Sequence, residues 1–457
     1  MSTSDFDYDV IVVGGGPAGV SVAYCLSKLG NSVIIIDKKP ISQIGNKTCG
    51  DALDKSSPQL LFDEFDLPLP FGDEISANLD TLTVMTPSSK LSIDAPGYTV
   101  DRHIYGQRLL QNCIDNGVVV KDQAPVRDII IENGFIKGVE YNDIAKNEKI
   151  KLRAKIIADC SGTFGAIRQK LPLNFSLGIH NRIPDHHLAA SYREIVDLNE
   201  AHEFDNEIVL GYSPLIPPPG YLWFFSKGDK KLNIGTGWLK SENYTFDKSM
   251  KQIFREALNE TYEEGEDYNI KIRGGGQIPI RPPFDSLVFN GGLLIGDSGC
   301  LVDPTTAEGH GIALVAGMYA AKAIDSAIKN NDFSIKSLWK YNIDVMNHYG
   351  RRNAISYVTL QFLREVEAKG MDKIIQKKLL TEIELKEVLN GENPSMSLKE
   401  LLFKVIRGFP NFKLLYQLYM LTKNVTIMGN IYDNYPKSPE QLPSWISQRN
   451  IALNEKL

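Results

Sequence analysis

No stretch of this 457-residue sequence offers the roughly eighteen consecutive apolar residues that a membrane-crossing helix needs. Its first residues, Met1 to Tyr8, are polar and acidic rather than apolar. Cysteine is scarce: Cys25, Cys49, Cys113, Cys160 and Cys300 are scattered, odd in number and without CxxC spacing, which excludes a disulfide framework and a zinc site and predicts a reducing compartment. No metal ligand set is expected. Positive charge is in deficit, with 50 Lys and Arg against 56 Asp and Glu and a net charge of -6, so no basic field exists to hold a nucleic acid by counterion release. Internal repeats and low-complexity tracts are also missing. Together these absences predict a cytoplasmic protein with no nucleic-acid partner, a location compatible with peripheral contact to a membrane.

What remains is the balance of a packed protein, 43% hydrophobic and 23% charged, in a chain long enough for two or three domains. Tyr8 to Val13 is a short apolar run, Pro17 to Leu29 is helical in pattern, and Val33 to Ile36 is apolar again. Strand, helix and strand within thirty residues predict a βαβ unit and a parallel sheet. From Val118 the runs are β-branched and broken by turns such as Asn133-Gly134, the pattern of an antiparallel meander that ends in the strand Ala154 to Ala158. Between Asn174 and Gly276 strand-like, aromatic segments broken by Gly and Pro predict a separate antiparallel sheet. Beyond Ser334 the pattern is helical, with Ser397 to Glu400 reading as a capping box.

Gly14-x-Gly16-x-x-Gly19 lies directly between the first strand and the first helix. There the first glycine permits a tight turn, the second lets a pyrophosphate approach the backbone, and the third lets helix pack on strand. The helix N-terminus adds free N–H groups and a partial positive charge. Asp37 ends the second strand, where a carboxylate accepts hydrogen bonds from an adenosine ribose. Nicotinamide and flavin dinucleotides share this fingerprint, and the second half of the chain decides between them. Gly296-Asp297 follows a buried strand, and a loop then leads to a helix start carrying Gly309 and Gly311. A carboxylate there can bind a polyol hydroxyl, and a glycine-bearing helix start can approach a flavin ring. The fold class predicted is α/β, a glutathione-reductase-type FAD-binding, Rossmann-like domain with an antiparallel β-sheet substrate domain and a helical C-terminal region. The expected bounds are 1–78, 99–172 and 285–333 for the FAD-binding domain, 79–98 and 173–284 for the substrate domain, and 334–457 for the helical region.

The set Gly14 to Gly19, Asp37, Arg102, Asp159 to Arg168 and Gly296-Asp297 resembles FAD-dependent oxidoreductases of the para-hydroxybenzoate hydroxylase type. Within them the chain looks most like the geranylgeranyl reductase family, particularly the archaeal enzymes that saturate isoprenoid membrane lipids. Lys47-Thr48-Cys49-Gly50-Asp51 matches the family's Cys-Gly segment, and Pro218 to Ser226 resembles its PxxYxWxFP pattern with Ser226 in place of the last Pro. Asp303 to His310 resembles its flavin loop, with His310 unusual at its place. The resemblance implies an FAD held by Gly14, Gly16, Ala18, Gly19, Asp37, Cys49, Gly50, Ala52, Arg102, Val126, Asp297, Gly309 and His310. Arg168 completes a structural support.

Tyr221, Trp223 and Phe225 alternate along a strand and so share one face, which suits a long hydrocarbon chain held by area. The same rings would also serve as plain sheet core. The function implied is reduction of isolated carbon–carbon double bonds in geranylgeranyl chains, as the diphosphate or on a glycerophospholipid, with hydride from reduced FAD. The proton donor is open among Cys49, Lys47, Asp51 and water, with Cys49 the catalytic candidate. No second GxGxxG with strand and helix occurs, so electrons come from an external donor, NAD(P)H or ferredoxin. The alternatives are a flavin monooxygenase or halogenase on the same fold, and a lipid carrier that keeps FAD as a relic.

Overall fold

The computed structural model describes residues 6–173, 175–240, 247–393, 404, 406–408 and 410–454, so the capping box at Ser397 to Glu400 lies outside the described residues. The strands are β1 (Tyr8–Val13), β2 (Val33–Ile36), β3 (Ala52–Asp54), β4 (Ile75–Thr86), β5 (Ser89–Val100), β6 (Val119–Lys121), β7 (Val126–Glu132), β8 (Phe135–Asp143), β9 (Glu148–Asp159), β10 (Leu188–Leu198), β11 (Glu207–Gly211), β12 (Tyr221–Ser226), β13 (Lys231–Leu239), β14 (Tyr268–Pro279), β15 (Val288–Phe289) and β16 (Gly292–Leu294). The helices that matter here are α1 (Pro17–Lys28), α2 (Ser56–Phe65), α3 (Arg102–Asp115), α4 (Met250–Leu258), α5 (His310–Lys329), α6 (Ile335–Val345), α7 (Arg351–Gln376), α8 (Glu382–Leu389), α9 (Phe412–Asp433) and α10 (Leu442–Asn454).

One sheet runs β15-β16-β9-β1-β2-β6, and its central pairings are parallel, as the βαβ reading requires. Parallel strands need both faces covered, and Val10–Val13 of β1 and the whole of β2 are correspondingly apolar and buried. The meander β7-β8-β9 joins it through β9, and the β7–β8 turn places Asn133 and Gly134 at positive φ, the geometry that an Asn-Gly hairpin provides. The helix α5 closes on α1 at Gly317, where an added Cβ would stand 2.7 Å from the Ser21 Cβ. By length and composition α5 is apolar enough to cross a membrane. It carries His310, Lys322 and Asp325, and 78% of its apolar window is buried inside the protein.

The second sheet runs β14-β10-β13-β12-β11-β4-β5-β3. It is antiparallel apart from the pairing of β11 with β4. It also takes in Ala52–Asp54, which lies outside the expected substrate-domain bounds. Along β12, Leu222 and Phe224 enter a core with Ile253, Phe254, Ala257 and Leu258 of the amphipathic α4, so the alternate residues face the other way. The C-terminal helices pack on both sheets. Tyr341 donates to the Leu294 carbonyl at 2.9 Å, and Asp372 on α7 accepts from Thr86 and Ser88 at the β4–β5 turn.

At the start of α1 a Cβ on Gly19 would stand 1.8 Å from the Gly14 carbonyl oxygen. Gly19→Ala should therefore force helix and strand apart and lower stability by about 3 kcal/mol, the upper part of the range for an overpacked contact. A urea unfolding curve with a wild-type midpoint would contradict this account of the turn.

Candidate functional site

The β1–α1 turn is built by close approach. Gly14 has φ +103°, and a Cβ there would meet the Cys160 carbonyl oxygen at 2.5 Å. Around Gly16 nothing lies within 4 Å of the corresponding point, so that side of the turn is open to a ligand. Gly16 also stands at the N-cap of α1 with no side-chain cap, which leaves the first-turn N–H groups for an incoming anion. Asp37 is already oriented: its Oδ2 accepts from the Gly15 N–H at 2.7 Å and its Oδ1 from the Lys39 N–H at 2.8 Å. Each oxygen keeps a lone pair for a ribose hydroxyl. Val126, at the start of β7, lines the same end of the cavity.

Asp297 lies in the short helical turn after β16, and its Oδ2 pairs with Lys47 Nζ at 2.9 Å. Behind it Asp159 accepts from the N–H groups of Ser161, Ile167 and Arg168, while buried Arg168 donates to the carbonyls of Ser298 and Thr163. That bracing holds the 296–299 turn against the 161–168 loop, the supporting role expected of Arg168. Gly296 packs on Ala18, bringing the two glycine turns together. At the start of α5, Gly309 precedes His310, whose buried Nδ1 has no hydrogen-bond partner. Burial, reinforced by the charges of Arg102 and Lys47, pushes the His310 pKa well down, so the imidazole is neutral. An open glycine cradle, a positioned carboxylate and an orphaned ring nitrogen fit a dinucleotide.

Arg102 opens α3, whose N-cap Asp101 accepts from the His103 and Ile104 N–H groups. Its guanidinium reaches Cys49 Sγ at 3.4 Å. The Cys49 thiol donates to Asp51 Oδ1 at 3.2 Å, and burial, with the adjacent Asp51 carboxylate, raises its pKa against the opposing pull of Arg102. Cys49 therefore keeps its proton near neutrality. Asp51 Oδ2 pairs with Lys227 at 3.1 Å, both side chains nearly inaccessible, and accepts from Asn233 Nδ2 at 2.9 Å. The same Asn233 amide donates to the Cys49 carbonyl, and its oxygen accepts from Trp223 Nε1 at 3.0 Å.

On β12, Tyr221, Trp223 and Phe225 share the face opposite α4, as the alternation predicts. Gly50 lies against the Phe225 ring and Gly235 against the Trp223 ring, with added Cβ atoms 2.4 and 2.2 Å from ring carbons. The Tyr221 hydroxyl donates to the Thr306 carbonyl at 2.7 Å.

The residues assigned from the sequence to the cofactor and the substrate line one cavity of about 1570 Å³, except Gly19, which packs beneath the turn, while Arg168 braces the site from behind. That volume exceeds the roughly 300–1,000 Å³ of a site for one small molecule and leaves room for a dinucleotide and a second, apolar ligand. The sequence reading missed Lys227 and Asn233, and also the half-buried pair that Arg352 makes at 2.5 Å with Glu308 of the 303–309 loop. A usable signal existed for Asn233, a polar residue between Leu232 and Ile234 in an apolar strand. Lys227 and Arg352 carry no local signal, because their partners are distant in sequence.

Fold and cavity define a dinucleotide-binding oxidoreductase of the two-sheet, glutathione-reductase type. The model of the glucose inhibited division protein A family matches residues 9–202, and that of the geranylgeranyl reductase catalytic domain matches residues 187–277. A digeranylgeranylglycerophospholipid reductase of Sulfolobus acidocaldarius is 30% identical over 453 residues, 99% of this chain and 98% of that protein. The chain belongs to the digeranylgeranylglycerophospholipid reductase family. The crystal structure of a geranylgeranyl bacteriochlorophyll reductase-like protein from Thermoplasma acidophilum superposes with a TM-score of 0.74 at 22% identity, covering 91% of this chain and 99% of that one. A flavin-dependent brominase shares the fold more distantly, with a TM-score of 0.64 at 17% identity over 89% of this chain and 99% of its own.

Lys227→Met should leave Asp51 buried without its cation and lower the unfolding free energy by about 3–5 kcal/mol. The double variant Asp51→Asn with Lys227→Met should recover part of that loss. Equal stability of wild type and the Lys227 variant in denaturant titration would remove the pair from this account.

Proposed function

We propose that this chain reduces isolated carbon–carbon double bonds in geranylgeranyl chains carried on a diphosphate or a glycerophospholipid, with FAD as its cofactor. The observation that carries the reading is continuity: one cavity joins the dinucleotide end, at Gly16, Asp37 and Asp297, to the aromatic wall of Tyr221, Trp223 and Phe225, and Cys49 stands between them. Family membership supports the same chemistry, and the named relative is a reductase of this lipid class.

Gly14, Gly16 and Ala18 would hold the diphosphate, Asp37 the ribose, and the Val126 end the adenine. Arg102, Asp297, Gly309, His310, Gly50 and Ala52 would border the rest of the FAD. When bound and reduced, FAD supplies the hydride. The rings of Tyr221, Trp223 and Phe225 hold the alkene by apolar contact and keep water from it. An isolated alkene has no carbonyl to absorb charge, so a proton must be delivered to carbon. The donor in this reading is the Cys49 thiol, supported by the retention of its proton at Sγ through burial and the neighbouring Asp51. Lys47 and Lys227 are engaged elsewhere, on Asp297 and Asp51. Electrons reach the protein from an external donor, NAD(P)H or ferredoxin, and five unpaired cysteines suit a cytoplasmic setting.

Anaerobic incubation of dithionite-reduced protein with a geranylgeranyl lipid should yield products two hydrogens heavier for each bond reduced, read by mass spectrometry. A monooxygenase or halogenase would leave the lipid unchanged without oxygen, and a lipid carrier would bind it without product. In the same assay Cys49→Ala should retain FAD and turn over roughly 100-fold more slowly. Because the thiol acts in its protonated form, the wild-type rate should fall only as pH passes its raised pKa, above the ordinary value near 8.5. A Cys49→Ala enzyme with the wild-type rate and the same alkaline limb would assign the proton to another group.

A further inference from the structure

Arg193 lies in the middle of β10, is 6% exposed, and lines the cavity. Its Nε and Nη1 have no hydrogen-bond partner, and it forms no ion pair among the described residues. The next residue shows what an ordinary buried charge looks like: Glu194, on the opposite face, receives both its oxygens' bonds from Arg255 at 2.7 and 2.8 Å. A desolvated guanidinium without an anion is unfavourable, and a buried charge is normally matched by a partner.

The strands on both sides of Arg193 present glycine to it. Residues directly opposite in an antiparallel pairing share a face. Arg193 pairs with Gly235 on β13 and Gly274 on β14, and Ser191, two residues earlier on the same face, pairs with Gly237 and Gly276. A Cβ on Gly276 would meet only the Ser191 hydroxyl, at 3.8 Å. Gly235 lies under the Trp223 ring, and a Cβ on Gly274 would stand 2.5 Å from Thr48 Oγ1. Thus the two glycines flanking Arg193 are overlaid by the aromatic wall on one side and by the Lys47–Gly50 segment on the other. The Gly274-Gly275-Gly276 run, which fits no nucleotide motif, acquires a use here.

We propose that Arg193 is the subsite for the phosphate of the prenyl substrate, a planar donor fork for an anionic oxygen pair, bounded by the Trp223 ring and Thr48 and open toward Ser191 and Gly276. The subsite rests on the prenyl reading above and adds to it that the anionic end of the substrate enters the cavity instead of staying outside.

The test is ligand binding to oxidised, FAD-loaded protein, followed by calorimetry without turnover. The probes are geranylgeranyl diphosphate, a geranylgeranylated glycerophospholipid in detergent, and geranylgeraniol, which has the chain without phosphate. Wild type should favour a phosphorylated probe over the alcohol by roughly 10- to 100-fold. Arg193→Met should abolish that preference while binding the alcohol as before, and Arg193→Lys should keep part of it. Loss for both phosphorylated probes assigns the subsite to either source of phosphate, and loss for one assigns it to that source. Since the cation has no partner to lose, Arg193→Met should unfold at no lower denaturant concentration than wild type. An unchanged preference in Arg193→Met overturns the subsite and leaves the prenyl reading standing. A changed flavin reduction potential with intact prenyl discrimination also overturns it, because the guanidinium would then serve the cofactor. Failure of wild type to bind all three probes removes the prenyl reading, and the subsite with it.

Discussion

The buried ion pair between Asp51 and Lys227 anchors the segment that leads into β3 against the end of β12, within the second sheet. Taking two charges out of water is unfavourable by several kcal/mol for each ion, and it is tolerated only where geometry and further hydrogen bonds compensate. Here they do: Asn233 donates to the same carboxylate oxygen, and Lys227 also donates to the Val100 carbonyl at 3.1 Å. The pair fixes a segment held along its whole length, from Lys47 on Asp297, through Cys49 and Asp51, to Ala52–Asp54 paired with β5. Asp51 adopts φ +71°, a conformation that a non-glycine residue keeps only where its surroundings impose it.

The two ends of the cavity follow different physical rules. At the dinucleotide end, specificity comes from backbone approach, carboxylates at strand ends and an uncapped helix start. These are directional interactions, so they demand glycine and acid at particular positions. At the aromatic end, holding comes from area, which any large apolar ring on the right face supplies. Between them lie buried Asp51, Arg102 and neutral His310 together with half-buried Cys49.

How much was legible in the sequence follows from the range of each interaction. The glycine turn, the acid ending β2 and the Asn133-Gly134 hairpin are local, so residue type and spacing sufficed. Alternation along Tyr221 to Phe225 fixed a face without knowledge of the neighbouring strands. Pairing partners were another matter. That β3 joins the second sheet through β5, that β11 runs parallel to β4, and that Lys227 meets Asp51 are set by contacts between residues far apart in sequence. Arg193 was hidden for the same reason, since its significance lies in what does not face it. The helix α5 holds no unbroken apolar run of membrane-spanning length, because Lys322 and Asp325 interrupt it, and its apolar residues serve the core instead.

Each ring of the aromatic wall is tethered to the opposite side of the cavity: Tyr221 through its hydroxyl to Thr306, Trp223 through Asn233 to the Cys49 segment, Phe225 by contact with Gly50. Substitutions at these positions are therefore epistatic with residues around the cofactor, and their effects will not add. Ile208 and Leu210, on the adjoining strand and also lining the cavity, have no polar atom to share. On the proposed reading, divergence in the length or branching of the hydrocarbon accepted is channelled to such positions, where lineages can drift without disturbing the hydrogen bonds that hold the Lys47–Asp51 segment.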